Sequence, residues 1–529
     1  MAQHISIRIP WKDNGYNGFV CDKPCYNNAC LRLKNIAENK DDLLEEELSG
    51  CPIKGNENRI PCLSEGGAFM SSVSHSKITV HPYKASNPKT HGHFQDTELV
   101  YPPFSLPARP FGWTMLRKGV DKDNIGTLKT LYNIDFEEDR EPSLSFDTNW
   151  VQDAENQRAI FDCFYKNVIP QKSLVIIYAK QVPFIEDSKR VVMGIGFVDK
   201  VTPPVEHNTD GTGKLRSITW ETMIGHTIRD DRKNGFLFPY KEMMEYAEAH
   251  PEFDIRKVTV FAADEYFDEF SYATEHLSYD AVINVLMQSL KALNIIKDCI
   301  DGDWNNCINW VNTRISEVWE DRGAYPGIGT MLCAAGFPFG ILIAEEIKKG
   351  LKAGEDIWNK LDVAIECPQK NFSQEIAKSI SSINDRAWKC LNSERKNLFK
   401  LLSRFSLTLD QAYVIYNVEQ REEFGLKCTD KEIIENPYIL YEQTRDKEPF
   451  LQIAVSKVDM AVFPPIKIQE KYPLPKPSCL SSDNDERRIR AIAISILESQ
   501  TQNGHTIYPC NKLIIDMNEL AIAPKCNVN

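Results

Sequence analysis

A chain of 529 residues with 42% hydrophobic, 10% aromatic and 26% charged residues is globular in composition and too long for one core, which excludes a disordered or fibrous chain and calls for about three or four domains. The formal net charge of −13 excludes a protein that coats nucleic acid through its overall field, so any nucleic-acid site must be a local patch. An α+β multidomain, cytoplasmic protein is expected, since Met1 to Pro10 alternates like a strand and lacks the order of a signal peptide.

The first domain, 1–145, is rich in Pro, Gly, Asn and His, with helical periodicity only over Leu31 to Leu48. Such an irregular segment buries few apolar side chains per residue, and a structural metal is one way to hold it together. Five of the 15 cysteines, Cys21, Cys25, Cys30, Cys51 and Cys62, fall here. In an intracellular chain they read as thiols rather than disulfides. Cys21 and Cys25 come closest to a metal knuckle, with Cys30 and either Cys51 or Cys62 completing a tetrahedral set for zinc, or the same thiolates holding an iron-sulfur cluster. The spacings from Cys21 to Cys30 and from Cys51 to Cys62 are wider than zinc knuckles use, so unligated thiols in a loosely packed domain are the other reading. His91 and His93, in THGHF, share one face of an extended chain; they suit a metal or plain hydrogen bonding, and without nearby carboxylates we read hydrogen bonding.

Residues 146–265 are expected to form a small, barrel-like β domain after a helix over Gln157 to Val168. Its strand-like runs are Ser173 to Lys180, Arg190 to Val201 and Ser217 to Ile228. Gly194 and Gly196 inside the second run predict a bulge or a close backbone approach. The nearest approach to a phosphate-binding P-loop is NTDGTGKL, but Asn208 stands where the first Gly belongs and Leu215 where Ser or Thr should follow Lys214, so it reads as a hairpin loop. The SLVIIYAK and MGIGFVDKV runs are similar to the small barrels of the PUA and EVE type, which read bases in some nucleic acids.

Residues 266–394 are expected to be helical, with periodicity over Tyr279 to Leu293 and Trp304 to Trp319 that returns from Phe372 to Tyr416. The stretch ADEYFDEF, Ala263 to Phe270, reads as a solvated acidic turn rather than a metal-dependent phosphoryl-transfer site. Gly323 to Ala344 is uncharged and long enough to cross a bilayer, but Pro326, Pro338 and its glycines would break a membrane helix. It reads as a buried helix-turn-helix, and no membrane partner is expected.

From Asn397 to Glu442 the sequence is NLFKLLSRFSLTLDQAYVIYNVEQREEFGLKCTDKEIIENPYILYE. Leu401, Leu402 and Phe405, then Ala412, Ile415 and Tyr416, make two short helices around a turn at Ser406 to Thr408. A second turn, Phe424 to Thr429, leads to Asp430 as N-cap, and Asn436-Pro437-Tyr438 ends that element. Helical hairpins of this size clamp DNA backbones through turn amides and nearby cations, for which Arg404, Lys427 and Lys431 are placed. The module spans 395–463. A Pro-rich linker, 464–484, precedes DERRIRAIAISILESQTQNGHTIYP, in which Arg487, Arg488 and Arg490 cluster at one end of an amphipathic helix and Gly504, His505 and Thr506 open the next element.

These two strings, in this order, resemble the non-motor region of RecD-like superfamily 1 DNA helicases, whose tandem helical hairpins end in an NPY-type string. The second string resembles that family's winged-helix-like element with its GHT-type turn, here over 485–529. The resemblance covers about residues 395–525. It implies DNA binding by Arg404, Lys427, Lys431, Arg487, Arg488, Arg490, His505 and Thr506, on single-stranded or forked DNA. The partner it implies is a helicase motor, in the same polypeptide or a separate one, and ATP would act only through that motor. Two departures stand out: the first hairpin lacks a Gly-x-Gly turn, and the chain has no P-loop. The expected role is to guide or separate strands for a motor, in DNA repair or phage defence. The alternatives are a non-catalytic scaffold or sensor subunit that binds a protein or a modified nucleotide, and an enzyme with a site of unfamiliar pattern.

Overall fold

The computed structural model describes residues 2–11, 16–26, 30, 34–65, 68–110, 124–144, 148, 150–186, 189–212, 216–271, 273–351, 355–384, 388–520, 522 and 524–528. Leu31, Lys214 and Leu215, which the sequence places in a helix and a loop, lie outside them. The architecture is α+β, with a curled sheet, a small two-stranded sheet and many helices. Unit 1 comprises 1–129 and 134–316; unit 2 comprises 130–133 and 317–529.

Among the described residues, unit 1 holds every strand: β1 (His4–Arg8), β2 (His75–Thr79), β3 (Thr97–Tyr101), β4 (Ser105–Ala108), β5 (Leu174–Ala179), β6 (Val191–Thr202), β7 (Thr222–His226), β8 (Gly235–Leu237) and β9 (Thr274–Leu277). β2 and β3 pair alone, while the other seven form one sheet in the order β4-β7-β6-β5-β1-β9, with β8 added on β6. β5 is buried along its whole length between β6 and β1. A strand covered on both faces reads as a continuous apolar run, and each Val or Ile buried there contributes about 1.5–3 kcal/mol. β1 runs parallel to it, with Ile5 opposite Val175 and Arg8 opposite Tyr178. Beyond β4, the Arg109 amide donates to Thr274 Oγ1 of β9 at 2.9 Å, which brings the two ends of the sheet together and curls it.

Two expected domain boundaries are therefore not boundaries between compact units. β1 and β4 come from the irregular first segment, yet they lie in the same sheet as β5 to β7. The helix Tyr279–Cys299, expected in a separate helical domain, belongs to this unit as well. The close approach predicted at Gly194 and Gly196 is present: a Cβ on Gly194 would lie 2.8 Å from Phe236 O, and one on Gly196 would lie 2.6 Å from Ile228 Cγ1. Gly235 completes the contact at a φ of +130°, a backbone conformation that side chains other than Gly's hydrogen disfavour. The ADEYFDEF stretch forms 3-10 turns over Asp264–Phe270 that bury Tyr266 and Phe270, so it is half-packed rather than wholly solvated.

Unit 2 is helical. The uncharged stretch forms Ile328–Ala334 and the start of Gly340–Lys349, the buried helix-turn-helix predicted for it. The two helices touch through glycine, since a Cβ on Gly329 would come within 2.9 Å of Ile341 Cα and one on Gly340 within 2.6 Å of Cys333 N. No described helix is long and apolar enough to cross a membrane. Farther on, Ser393–Leu402, Leu409–Tyr416, Val418–Glu423, Asp430–Glu435 and Ile439–Thr444 form the expected hairpins. They pack around one core that includes Leu398, Leu402, Phe405, Ile415, Ile433 and Tyr438.

Capping explains where two of these helices start. Thr408 and Gln411 form a capping box, as do Thr429 and Glu432. The N-cap of the second is thus Thr429, one residue before the expected Asp430, whose carboxylate instead pairs with Arg395 at 2.9 Å and with Arg421. The Pro-rich segment is not an open linker. It forms the helix Ile466–Lys471 and a 3-10 turn at Lys476–Ser478, and Ser478 Oγ donates to Ile434 O at 2.7 Å. The segment expected as winged-helix-like consists of two helices, Glu486–Gln502 and Cys510–Glu519, with no strand among its described residues.

Candidate nucleic-acid interface

The predicted DNA-contacting cations separate into two groups by burial. Arg488 is fully buried, with its Nε 3.0 Å from Asp459 Oδ1 and an Nη 2.7 Å from Asp459 Oδ2. It also donates to the carbonyls of Asp483 and Pro524, each at 2.6 Å. Asp459 accepts a further bond from the Tyr438 hydroxyl at 2.5 Å. Burial raises the Asp459 carboxyl from its ordinary value, against the opposing pull of Arg488 and Tyr438. Tyr438 is the last residue of the NPY string, where Asn436 Oδ1 accepts its amide at 3.1 Å and bends the chain into the following helix. The two strings that carry the RecD-like resemblance therefore meet through Asp459 in a buried Tyr-Asp-Arg network. Their shared feature here is structural.

Arg404 and Arg487 are also committed within the fold. Arg404 is buried and donates to Tyr472 O at 2.6 Å and Pro473 O at 2.9 Å, clamping the proline segment. Arg487 donates to both Asp485 oxygens at 2.9 Å, to Glu435 O at 2.6 Å and to Cys479 O at 3.0 Å. Asp485 caps its own helix through the Arg487 amide, and Arg487 holds its carboxyl well below the usual carboxylate range.

The second group faces solvent. Lys427 is exposed just after the turn made by Gly425, whose φ is +68°, and its amide donates to Gln443 Oε1 at 2.9 Å. The Lys431 side chain is 71% exposed, with only a 3.8 Å contact to Glu435. Arg490 is 67% exposed and bonds to Glu442 Oε1 at 2.9 Å. His505 and Thr506 are exposed in the turn between the last two helices. Sequence reasoning missed Lys447, which lies near the Gly425 turn. No local pattern marks it, because the fold brings it back from beyond the second following helix, Ile439–Thr444.

The candidate metal ligands are less convergent. Cys21 and Cys30 are buried, Cys25 is exposed, and Cys51 and Cys62 are half-buried. Among the described residues no group of three or more His, Cys, Asp or Glu side chains is placed to hold a metal ion. Burial pushes the Cys30 thiol up to about 11, and a hydrogen bond with Glu46 raises that of Cys25. Among the described residues the five thiols do not converge on one point. His91 and His93 have ring centroids 6.3 Å apart and lie close to His81 and His207. His81 stacks on Phe94 at 3.6 Å, and burial followed by the neighbouring histidines pushes it down to about 3. The sequence revealed only the adjacent pair of this cluster.

Comparison with protein-family models, curated proteins and solved structures gives no match. The residues and their geometry therefore carry the functional reading.

Proposed function

We propose that this chain is a DNA-binding accessory region of a RecD-like ATP-dependent helicase, and that it guides or separates strands for a motor lying outside these 529 residues. The observation that supports this reading is the surface around the Gly425 turn, where Lys427 and Lys431 stand exposed on a rigid, doubly capped hairpin module. Exposed Arg490 and the His505-Thr506 turn belong to the same helical unit. Such cations position a phosphate backbone without reading sequence, while strand separation draws its energy from ATP in the motor. The acidic balance of the whole chain confines such contact to a local patch, and the resemblance is what suggests single-stranded or forked DNA.

The test is a salt titration of the full chain binding a labelled fork. Replacing Lys427, Lys431 and Arg490 together by Ala should weaken binding to all sequences alike and flatten the log-log salt slope by about one unit per lost phosphate contact. An unchanged slope would remove the DNA-guide reading of this surface.

A further inference from the structure

Unit 1 contains a groove of about 690 Å³, a size that suits a small ligand. The glycine contacts described above build it. Because β8 lies hard against β6, the chain on either side of β8, Ile228 to Arg232 and Leu237 to Glu242, stands up as one wall. Trp11, Tyr16, Phe238 and Tyr240 are buried aromatic residues of its lining, and Phe19 on the same lining is 43% exposed. Two guanidinium groups lie over aromatic rings: Arg229 is 3.6 Å from the Phe104 centroid and Arg232 is 4.0 Å from that of Trp304. Arg229 is fixed further by donating to His226 O at 2.8 Å and Ile228 O at 2.7 Å. Lys241 is exposed, and among the described residues no ion pair occupies it. Asp22, Asp230 and Glu242 supply carboxylates on the same lining.

From this arrangement we infer that the groove binds a nucleoside phosphate, either free or as the end of a strand. An exposed ring on a lining that also holds four buried aromatic residues suits a planar heterocycle, because any base can stack on it. Guanidinium groups already immobilised on aromatic faces lose little freedom when they take a phosphate, and Lys241 adds a mobile cation. Carboxylates accept hydrogen bonds from sugar hydroxyls. Cations and carboxylates are equally numerous on the lining, which favours a ligand with one phosphate over a polyanion. This inference does not depend on the helical surface of unit 2.

Calorimetric titration of the full chain with adenosine and cytidine monophosphates, the parent nucleosides and a short 5′-phosphorylated oligonucleotide tests it. Monophosphates should bind more tightly than nucleosides; Phe19→Ala should weaken binding about tenfold, and Lys241→Gln should reduce the advantage of the phosphate. Both changes lie on exposed side chains, so the fold is retained. Oligonucleotide binding without monophosphate binding, if lost in Phe19→Ala, assigns the groove to strand ends. The inference is overturned if none of these ligands binds, or if binding is indifferent to both substitutions. The Lys427, Lys431 and Arg490 triple variant should bind monophosphates as the parent does, so failure of the DNA reading and failure of this one are distinguishable.

Discussion

The two units differ in how they hold their most deeply buried titratable groups. Unit 1 buries titratable side chains in neutral form: His4, His207 and His226 are each pushed down to about 4, chiefly by burial. His4 Nδ1 accepts the Leu174 amide at 2.9 Å, a bond that only the neutral ring can accept. Unit 2 buries charges as pairs, Arg488 with Asp459, and Arg421 and Arg395 with Asp430. A neutral buried group costs little until the pH forces a charge on it. A buried pair costs little until one partner is removed. Acid should therefore act on unit 1 and truncation on unit 2.

The largest expected effect is that of acid. With folded values near 4 and an unfolded value near 6.5, these histidines contribute stability that is present above pH 6.5 and lost as pH falls towards 4. At pH 5 each would cost about 2 kcal/mol relative to pH 7. Glu275, pushed up to about 8 by burial and then by Asp268 and Glu269, acts in the other direction: its contribution is lost as pH rises from the usual carboxylate range to 8. It is one group against these three histidines and two more, His81 at about 3 and His276 at about 4. Hydrogen exchange at pH 7 and pH 5, corrected for intrinsic rates, should show β5 and β6 losing protection while Val455–Val462 and Glu486–Gln502 keep theirs. Equal losses in both units would break the comparison.

Next in size is Arg488→Ala. It strands Asp459 without its cation in a buried site and should cost about 3–5 kcal/mol, read as a lower urea midpoint of the helical signal. Arg404→Ala should cost less, about 1–3 kcal/mol, because two backbone carbonyls lose their donor. Its signature is local: trypsin should cut sooner at Lys467 and Lys471 as the proline segment lifts. The smallest effect belongs to Lys427→Ala, Lys431→Ala and Arg490→Ala, each expected within about 0.5 kcal/mol of the parent in stability. A large loss from any of these would mean that exposure does not separate the two groups of cations.

What the sequence revealed follows from the range of the interactions. Short-range periodicity exposed β5 and β6, the hairpin helices and the helix-turn-helix in the uncharged stretch, since each depends on residues a few positions apart. Gly194 and Gly196 were legible because glycine in a strand has few other uses. The sheet that joins 1–145 to 146–265 was not, because β1 and β5 are paired across some 170 residues and no local signal encodes that register. Arg404 and Arg488 looked like surface cations for the same reason: their partners, Tyr472, Pro473 and Asp459, lie 29 to 69 positions away. Thr429 and Asp430 are both good N-caps, and the choice was settled by Glu432 closing the capping box. The groove was invisible because its lining comes from well-separated stretches of chain between Trp11 and Glu242.

The central claim is that the arginine of the second motif string holds the fold while exposed cations meet DNA. The most direct test replaces the buried network by apolar residues of similar size, Tyr438→Phe, Asp459→Leu and Arg488→Met together, which leaves no buried charge unpaired. If the variant folds with native helix content and binds forked DNA within about twofold of the parent, the claim holds. Loss of binding by tenfold or more in the folded variant would place Arg488 at the DNA and contradict it.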